Sequence, residues 1–374
     1  MSGLASRLWQ RGDVFQPVAK RDLRPPGPKF TNLSRSGCNP QARHKGRAGE
    51  QPRPDEQWVQ QKDRFVVQTT IQTAVSFSGV ALHSGATVTL CVRPAAADTG
   101  IVFERLDLAL PRGARRIPVG VDALIETNLC TRIGNEHGVI VSTIEHLMAA
   151  LSGCGIHNAL VTLDGAEVPI LDGSARPFVE GFLRAGIRRL HAPLTAIQVR
   201  RPVEVRMGDA WARLDPAREL SISFEIDFPD RAIGHQKLDL ALRNGAFVRE
   251  LSDSRTFCRQ ADVEAMRAQG LALGGTYLNA VVVAGARVLS PGGLRHPDEP
   301  VRHKMLDAVG DLAVAGAPIL GRYTGHRAGH TLTGRLVRAL LSDERNFARV
   351  RVGADLAPYL PGVGVGHDDL HAAA

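Results

Sequence analysis

The sequence predicts an α+β fold of two domains, each a β-sheet layer packed with helices. The chain has 374 residues, 44% of them hydrophobic, which is enough for two domains with separate cores. Strand and helix patterns occur in both halves of the chain, and a proline-containing boundary lies at residues 191–195. We therefore expect one domain over residues 65–191 and a second over residues 192–356.

Strand patterns precede helix patterns in the first half. Runs rich in β-branched residues predict strands at residues 65–77, 86–93 and 158–163. Helices are predicted at residues 142–151 and 177–186. Ser142 and Glu145 have the spacing of a capping box, which would give Glu145 a structural role at the start of the first helix. The neighbouring His146 is expected to be exposed on the first turn.

The second half also begins with strands. They are predicted at residues 195–206, 211–214 and 219–228. Helices follow near residues 258–270, 300–315 and 331–342.

The helix near residues 300–315 has a polar side and an apolar side. His303 and Asp307 are four residues apart and share one face, which Asp311 continues. The residues expected to pack inward are Val301, Met305, Ala308, Val309 and Leu312. An imidazole and a carboxylate one turn apart can reach a single cation, as in a catalytic zinc site. An exposed helix with a solvated polar face would have the same spacing, so the pair alone leaves both interpretations open.

Most of the formal net charge of +8 belongs to residues 1–64, which contain 13 Lys/Arg and six Asp/Glu. This segment is rich in Pro, Gly, Arg and Gln without periodicity, and we expect a disordered basic extension. It could contact anionic partners, or it could be an extension from an early start codon. The remainder is nearly neutral, so we expect no nucleic-acid binding by the folded body. Residues 357–374 are expected to form a flexible tail.

Cysteine content and hydropathy indicate a cytoplasmic protein. The five cysteines are widely spaced without a Cys-x-x-Cys pair, which argues against a disulfide framework. No segment approaches the roughly 18 consecutive apolar residues of a membrane span, and the N-terminus lacks the apolar core of a secretory signal. We expect a monomer.

Several motifs in order resemble one enzyme family. From residue 65 to about residue 355 the sequence resembles the zinc-dependent UDP-3-O-acyl-N-acetylglucosamine deacetylases of Gram-negative lipid A biosynthesis. The segments that carry this resemblance are residues 79–85, 142–151, 169–178, 255–257, 270–275, 301–312 and 329–330. The resemblance favours the metal-site interpretation of the helix near residues 300–315.

The resemblance implies a catalytic metal centre. Its ligands would be His146, His303 and Asp307, with water in the fourth position and one Zn²⁺ per chain. Iron(II) would suit the same donors. Because these residues come from both halves, we expect the active site at the domain interface.

The resemblance also implies the acid–base groups. Glu145 would remove a proton from water, and His330 would protonate the leaving nitrogen of the glucosamine. Asp311 would orient His330, and Lys304 would support the polar side of the site. The Thr256 hydroxyl would contact the developing oxyanion.

The expected substrate carries a hydroxyacyl chain and a UDP group. Phe257 is expected to form a wall near the sugar, and Arg327, together with Lys304, would bind polar groups of the substrate, with Arg327 suited to the diphosphate. Two positions depart from the family pattern, because Cys258 stands where glycine is usual and His296 where an aromatic residue is usual.

Two alternatives remain open from the sequence. One is a zinc amidohydrolase that acts on another N-acetyl sugar. The other is a retired enzyme scaffold that binds polyanions through its basic extension.

Overall fold

The computed structural model describes residues 65–371 and confirms the predicted α+β class. The predicted basic extension at residues 1–64 lies outside the described residues. None of the helices within residues 65–371 combines the length and apolar character needed to cross a membrane.

Residues 65–193 contain ten strands and two helices. The strands are β1 Val67–Ile71, β2 Val75–Val80, β3 Thr87–Pro94, β4 Ile101–Arg105, β5 Arg116–Pro118, β6 Leu124–Ile125, β7 Arg132–Gly134, β8 Ile140–Val141, β9 Ala159–Leu163 and β10 Ile187–Pro193. The helices are α1 Glu145–Gly153 and α2 Arg176–Ala185. A five-stranded sheet has the order β2-β3-β9-β4-β5, β6-β7-β8 form a small antiparallel sheet, and β1 pairs with β10.

The later residues form a larger sheet and a small one. The strands are β11 Thr195–Val199, β12 Val203–Met207, β13 Ala210–Pro216, β14 Leu220–Asp227, β15 His235–Ala241, β16 Phe257–Arg259, β17 Val281–Ala284, β18 Arg287–Val288, β19 Ile319–His326 and β20 Phe347–Arg351. The helices are α3 Ala246–Glu250, α4 Gln260–Ala268, α5 Glu299–Ala313, α6 His330–Leu341 and α7 Asp368–His371. Strand β19 lies inside the seven-stranded sheet, where it pairs with β11, β13 and β14. Strands β16-β17-β18 form the small sheet.

Helices α1 and α5 cross and pack against each other in the hydrophobic core. Eight of the nine residues of α1 are buried, as expected for a helix that is apolar nearly all round. The crossing is closest at Gly310, where a Cβ atom would lie 2.0 Å from the carbonyl oxygen of Glu145. Only glycine permits this approach, and it brings the start of α1 against the C-terminal third of α5.

Ser142 and Glu145 do not form the capping box that their spacing allowed. Helix α1 begins at Glu145, its N-cap position is Ile144, and no side chain caps it. Ser142 instead pairs with Glu167 in a β-bridge and its hydroxyl accepts a hydrogen bond from Arg132 Nε. Thr143, at φ +58°, turns the chain from that bridge into the helix. The Glu145 side chain is therefore not engaged in capping the helix.

The segment predicted as a flexible tail contains defined contacts over residues 357–371. It holds a 3₁₀ turn at Ala357–Tyr359 and helix α7. Asp369 pairs with Arg249 of α3, and the Leu370 carbonyl accepts a hydrogen bond from Arg176. The flexibility of this segment and the domain bounds stay predictions.

Candidate metal centre and catalytic site

Two imidazoles and one carboxylate converge where α1 meets α5. His146, His303 and Asp307 are 5%, 3% and 5% exposed, and their ligand atoms lie within 4.8 Å of one another. Asp307 Oδ1 is 3.5 Å from His146 Nε2 and 3.3 Å from His303 Nε2. This oxygen is buried and has no hydrogen-bond partner among the described residues. A buried carboxylate oxygen without a partner is costly, and a divalent cation between the three groups would satisfy it.

The protonation state of His303 suits a ligand. Its Nδ1–H donates to the carbonyl oxygen of Ser254 at 3.0 Å, which leaves the lone pair of Nε2 directed at the cluster. Burial lowers the pKa of His303 to about 4 against the opposing effect of Asp307. The imidazole is therefore neutral at pH 7, as metal ligation requires.

The other oxygen of Asp307 binds Lys304. Lys304 Nζ donates to Asp307 Oδ2 at 2.7 Å. Burial alone would lower the pKa of Lys304, but the carboxylates of Asp307, Asp311 and Glu145 raise it. The raised pKa favours the protonated form of Lys304, and its charge in turn helps to lower the pKa of Asp307.

A second group of side chains borders the cluster. His330 begins α6, and its Nδ1–H donates to Asp311 Oδ2 at 3.0 Å. Its Nε2 lies 3.9 Å from Glu145 Oε1 and 3.9 Å from Asp307 Oδ2. Glu145 is 3% exposed, and its Oε2 accepts the backbone N–H of Thr131 at 2.9 Å. His146, expected to be exposed, is buried beside it, so that prediction is wrong.

The surroundings of His330 and Glu145 raise the pKa of both groups and so favour their protonated forms. Burial would favour neutral His330, but the carboxylates of Asp311, Glu145 and Asp307 raise its pKa to about 9. Burial raises the pKa of Glu145 despite the nearby imidazoles. A carboxylate and an imidazole with raised pKa values, 3.9 Å apart, are suited to base and acid roles in one reaction.

Phe257 lies beside the cluster, and Thr256 directly precedes it at the start of β16. The Phe257 ring centroid is 6.3 Å from that of His303 and 5.4 Å from that of Phe228. The Thr256 backbone is held between Gly173 and Val281, two residues beyond the Ser254 carbonyl that binds His303. Contact between the Thr256 hydroxyl and an oxyanion stays a prediction.

Arg327 and Lys304 line one cavity of about 480 Å³. Arg327 has a φ of +49° directly after β19 and pairs with Asp227. Phe228 and Pro229 supply part of the apolar wall. Asp227 lines the same cavity, and both cations have carboxylate partners, Asp227 for Arg327 and Asp307 for Lys304. The substrate-binding roles of Arg327 and Lys304 stay predictions.

The two departures from the family pattern lie beside the site. Cys258 is half-buried on β16, where burial raises the pKa of its thiol to about 11. His296 contacts Asp253 at 2.9 Å, close to the start of α5. Neither Cys258 nor His296 is one of the three converging ligands.

Three further residues near the site, Thr131, Glu167 and His83, had no role predicted from the sequence. Thr131 contacts Glu145, Asp311 and His330. Glu167 accepts hydrogen bonds from His83 N–H, Ser84 and Thr143, and so joins the loop after β2 to the segment before α1. Both ring nitrogens of His83 are buried without partners among residues 65–371. His83 stood in a segment that carried the resemblance, whereas Thr131 gave no sequence signal.

Comparisons with known proteins identify the family of this chain. The family model described as LpxC, UDP-3-O-acyl N-acetylglycosamine deacetylase, matches residues 68–342. A protein of Phenylobacterium zucineum named UDP-3-O-acyl-N-acetylglucosamine deacetylase is 53% identical over 273 residues, which cover 73% of this chain and 92% of the relative. A protein of Shewanella oneidensis with the same name is 47% identical over 282 residues, which cover 75% of this chain and 91% of the relative. The chain therefore belongs to the UDP-3-O-acyl N-acetylglycosamine deacetylase family.

Proposed function

We propose that this protein hydrolyses the N-acetyl group of UDP-3-O-(3-hydroxyacyl)-N-acetylglucosamine and releases acetate, a step of lipid A biosynthesis. The observation that carries the proposal is the unpartnered Asp307 Oδ1 between His146 and His303, bordered by Glu145 and His330. Membership of the deacetylase family supports the choice of substrate.

His146, His303 and Asp307 would hold the metal ion, for which Zn²⁺ and Fe²⁺ both suit two imidazoles and a carboxylate. When bound, such an ion polarises a carbonyl group and lowers the pKa of water. The identity of the metal is part of the proposal.

The proposed acid–base pair is Glu145 and His330. Glu145 accepts a proton from the attacking water at a carboxylate oxygen. His330 donates the proton on Nε2 to the amide nitrogen, which becomes a competent leaving group as the C–N bond breaks. Asp311, hydrogen-bonded to Nδ1, holds the ring in the orientation that presents Nε2 to the reacting atoms.

The remaining residues would bind substrate. Thr256 would contact the oxyanion, Phe257 would form a wall beside the sugar, and Lys304 and Arg327 would bind polar groups of the substrate, Arg327 the diphosphate. Action in the cytoplasm and a monomeric state stay predictions from the sequence.

The direct test is acetate release by the purified protein from the acylated substrate and from unacylated UDP-N-acetylglucosamine, with and without a chelator. We expect release from the acylated substrate only, lost on chelation and restored by added metal. Equal release from both substrates would favour an amidohydrolase with another N-acetyl sugar as its substrate.

No release from a folded, metal-loaded sample would contradict the proposed function. The remaining alternative is polyanion binding through residues 1–64, which predicts salt-dependent nucleic-acid binding that is lost when those residues are deleted.

A further inference from the structure

The backbone N–H, the carbonyl oxygen and the hydroxyl of Thr131 all form hydrogen bonds, with Glu145, with Ile144 next to it, and with Asp311. It lies directly before β7 and is 5% exposed. Its carbonyl oxygen accepts the N–H of Ile144, the residue before α1, at 3.3 Å. Its N–H donates to Glu145 Oε2 at 2.9 Å, and its hydroxyl donates to Asp311 Oδ1. A single residue thereby contacts the start of α1 and the C-terminal end of α5.

The same hydroxyl oxygen lies 3.3 Å from His330 Nδ1. Asp311 Oδ1 thus accepts a hydrogen bond from the Thr131 hydroxyl. His330 Nδ1 lies 3.1 Å from Asp311 Oδ1 and 3.0 Å from Asp311 Oδ2. A carboxylate with donors on both oxygens has a defined rotation about its side-chain bonds. The orientation of the His330 ring follows from it, because the ring is bound through Nδ1.

The segment that carries Thr131 is itself anchored. Strand β7 pairs with β6 and β8, and the hydroxyl of Thr127 donates to the Cys130 carbonyl. The carbonyl oxygen of Thr127 accepts the hydroxyl of Thr331, the residue after His330, at 2.9 Å. The position of Thr131 is therefore set by a sheet on one side and by the start of α6 on the other.

We propose that Thr131 is a positioning residue that holds Glu145 and the Asp311–His330 pair in one fixed arrangement. This inference rests on the proposed function, since it concerns the same acid–base pair. Replacement of the hydroxyl by a methyl group would leave Asp311 Oδ1 short of a donor in a buried site, and the carboxylate and the His330 ring could then rotate together.

The test compares Thr131→Val, which keeps the shape of the side chain and removes the hydroxyl, with Thr131→Ser, which keeps the hydroxyl. We expect kcat of Thr131→Val to fall about 10- to 100-fold, the range found when a supporting hydrogen bond is removed from an active-site residue. KM and bound metal should stay close to wild type, because Thr131 lies behind the site and contacts none of the three ligands. Thr131→Ser should recover most of kcat.

A matched control is Thr162→Val on β9. Thr162 is also buried, but its hydroxyl donates to the Cys91 carbonyl and has no charged partner within residues 65–371. We expect Thr162→Val to keep wild-type kcat. If Thr131→Val does not fold, Thr131→Ala is compared with Thr131→Ser, since these two variants lack the same methyl group and differ only in the hydroxyl.

Wild-type kcat in a folded Thr131→Val, or equal kcat in the alanine and serine variants, would overturn the inference. A loss shared equally by Thr131→Val and Thr131→Ser would also overturn it, because retention of the hydroxyl would then give no recovery of kcat. Absence of acetate release by the wild-type protein would instead contradict the proposed function, so the two failures are distinguishable.

Discussion

Asp307 uses its two carboxylate oxygens for different purposes. Oδ2 binds Lys304, and Oδ1 lies 3.5 Å from His146 Nε2 and 3.3 Å from His303 Nε2. His303 Nε2 carries no proton in the neutral ring, because the proton is on Nδ1 and is donated to Ser254. This arrangement leaves Oδ1 of the carboxylate available to bind a cation. Glu145, by contrast, has Oε2 bound to a backbone N–H and Oε1 3.9 Å from His330. Asp307 thus has an oxygen available for a cation, as a ligand requires. Glu145 has an oxygen near His330, as the proposed base requires.

The first prediction at this scale concerns Glu145. Glu145→Gln keeps the size of the side chain and removes its basicity, so we expect kcat to fall about 10²- to 10⁴-fold with unchanged metal content. Steady-state kinetics and metal analysis of the same sample measure both quantities. Full turnover in a metal-loaded Glu145→Gln variant would show that another group takes the proton.

The second prediction concerns the titration of His330. In the metal-free protein we expect its imidazole to titrate near pH 9, since surrounding carboxylates raise its pKa to about 9. A raised pKa means that the charged ring stabilises the fold below pH 6.5 and that this contribution is lost as the pH rises through 9. NMR of histidine-labelled protein measures the midpoint, which Asp311→Asn should lower. A midpoint at or below 6.5 in metal-free protein would contradict this assignment.

At the scale of elements, the crossing of α1 and α5 depends on one glycine. A Cβ atom at residue 310 would lie 2.0 Å from the Glu145 carbonyl oxygen. We expect Gly310→Ala to lower the free energy of unfolding by about 1–3 kcal/mol, as overpacking does, and to reduce turnover because the helices separate at the site. Urea unfolding and kinetics measure the two effects.

Gly334→Ala on α6 is the matched control for Gly310→Ala. A Cβ atom at residue 334 would be 3.7 Å from its nearest neighbour, the side chain of Leu124. Alanine is a better helix former than glycine, so we expect unchanged or slightly higher stability. Equal effects of the two substitutions would show that the crossing tolerates a side chain.

The first turn of α5 depends on a buried ion pair. Glu299 is fully buried and accepts hydrogen bonds from Arg255 N–H, Arg255 Nε–H and Arg295 N–H. Burial opposes its ionisation, but the hydrogen bonds from Arg255 and Arg295 lower the pKa of Glu299 below its ordinary 4.5. Glu299→Gln would leave Arg255 buried without a counter-charge. We expect a loss of about 3–5 kcal/mol in unfolding free energy at pH 7.

The effect of Glu299→Gln should depend on pH. Because the pKa of Glu299 is lowered in the fold, its stabilisation is complete above pH 4.5 and is lost as the pH falls through the lower folded-state value. Urea unfolding at a series of pH values measures the difference between wild type and variant, which should shrink below pH 4.5. A difference that is constant with pH would rule out this ion pair as its source. Glu126→Gln, in an exposed pair with Arg335, should have little effect.

At the scale of the whole molecule, local periodicity predicted some features and distant contacts determined others. The spacing of His303 and Asp307 placed both on one face of a helix, and the helix occurs at Glu299–Ala313. Strand and helix patterns likewise predicted the α+β class. The burial of His146 was missed, because it results from α5 packing on α1 rather than from the residues around it.

Thr131 illustrates the limit of sequence reasoning more clearly. Its hydroxyl reaches Asp311 across 180 residues of chain, and no local pattern encodes such a contact. The Ser142–Glu145 spacing failed for the opposite reason, since a valid local pattern was overridden by the β-bridge of Ser142 and the positive φ of Thr143. The domain bounds, the individual catalytic roles and the metal stay predictions.

The crossing of α1 and α5 has a thermodynamic consequence. The converging ligands come from both helices, so an ion bound there would cross-link segments about 160 residues apart in the chain. Binding to the folded state alone raises the unfolding free energy by RT ln(1 + [L]/Kd), about 2.7 kcal/mol at a free metal concentration of 100 Kd. Calorimetry should then show an unfolding temperature that rises with free Zn²⁺. In His146→Ala that dependence should weaken. The supply of metal would therefore determine the free energy of unfolding of the protein as well as its rate of turnover.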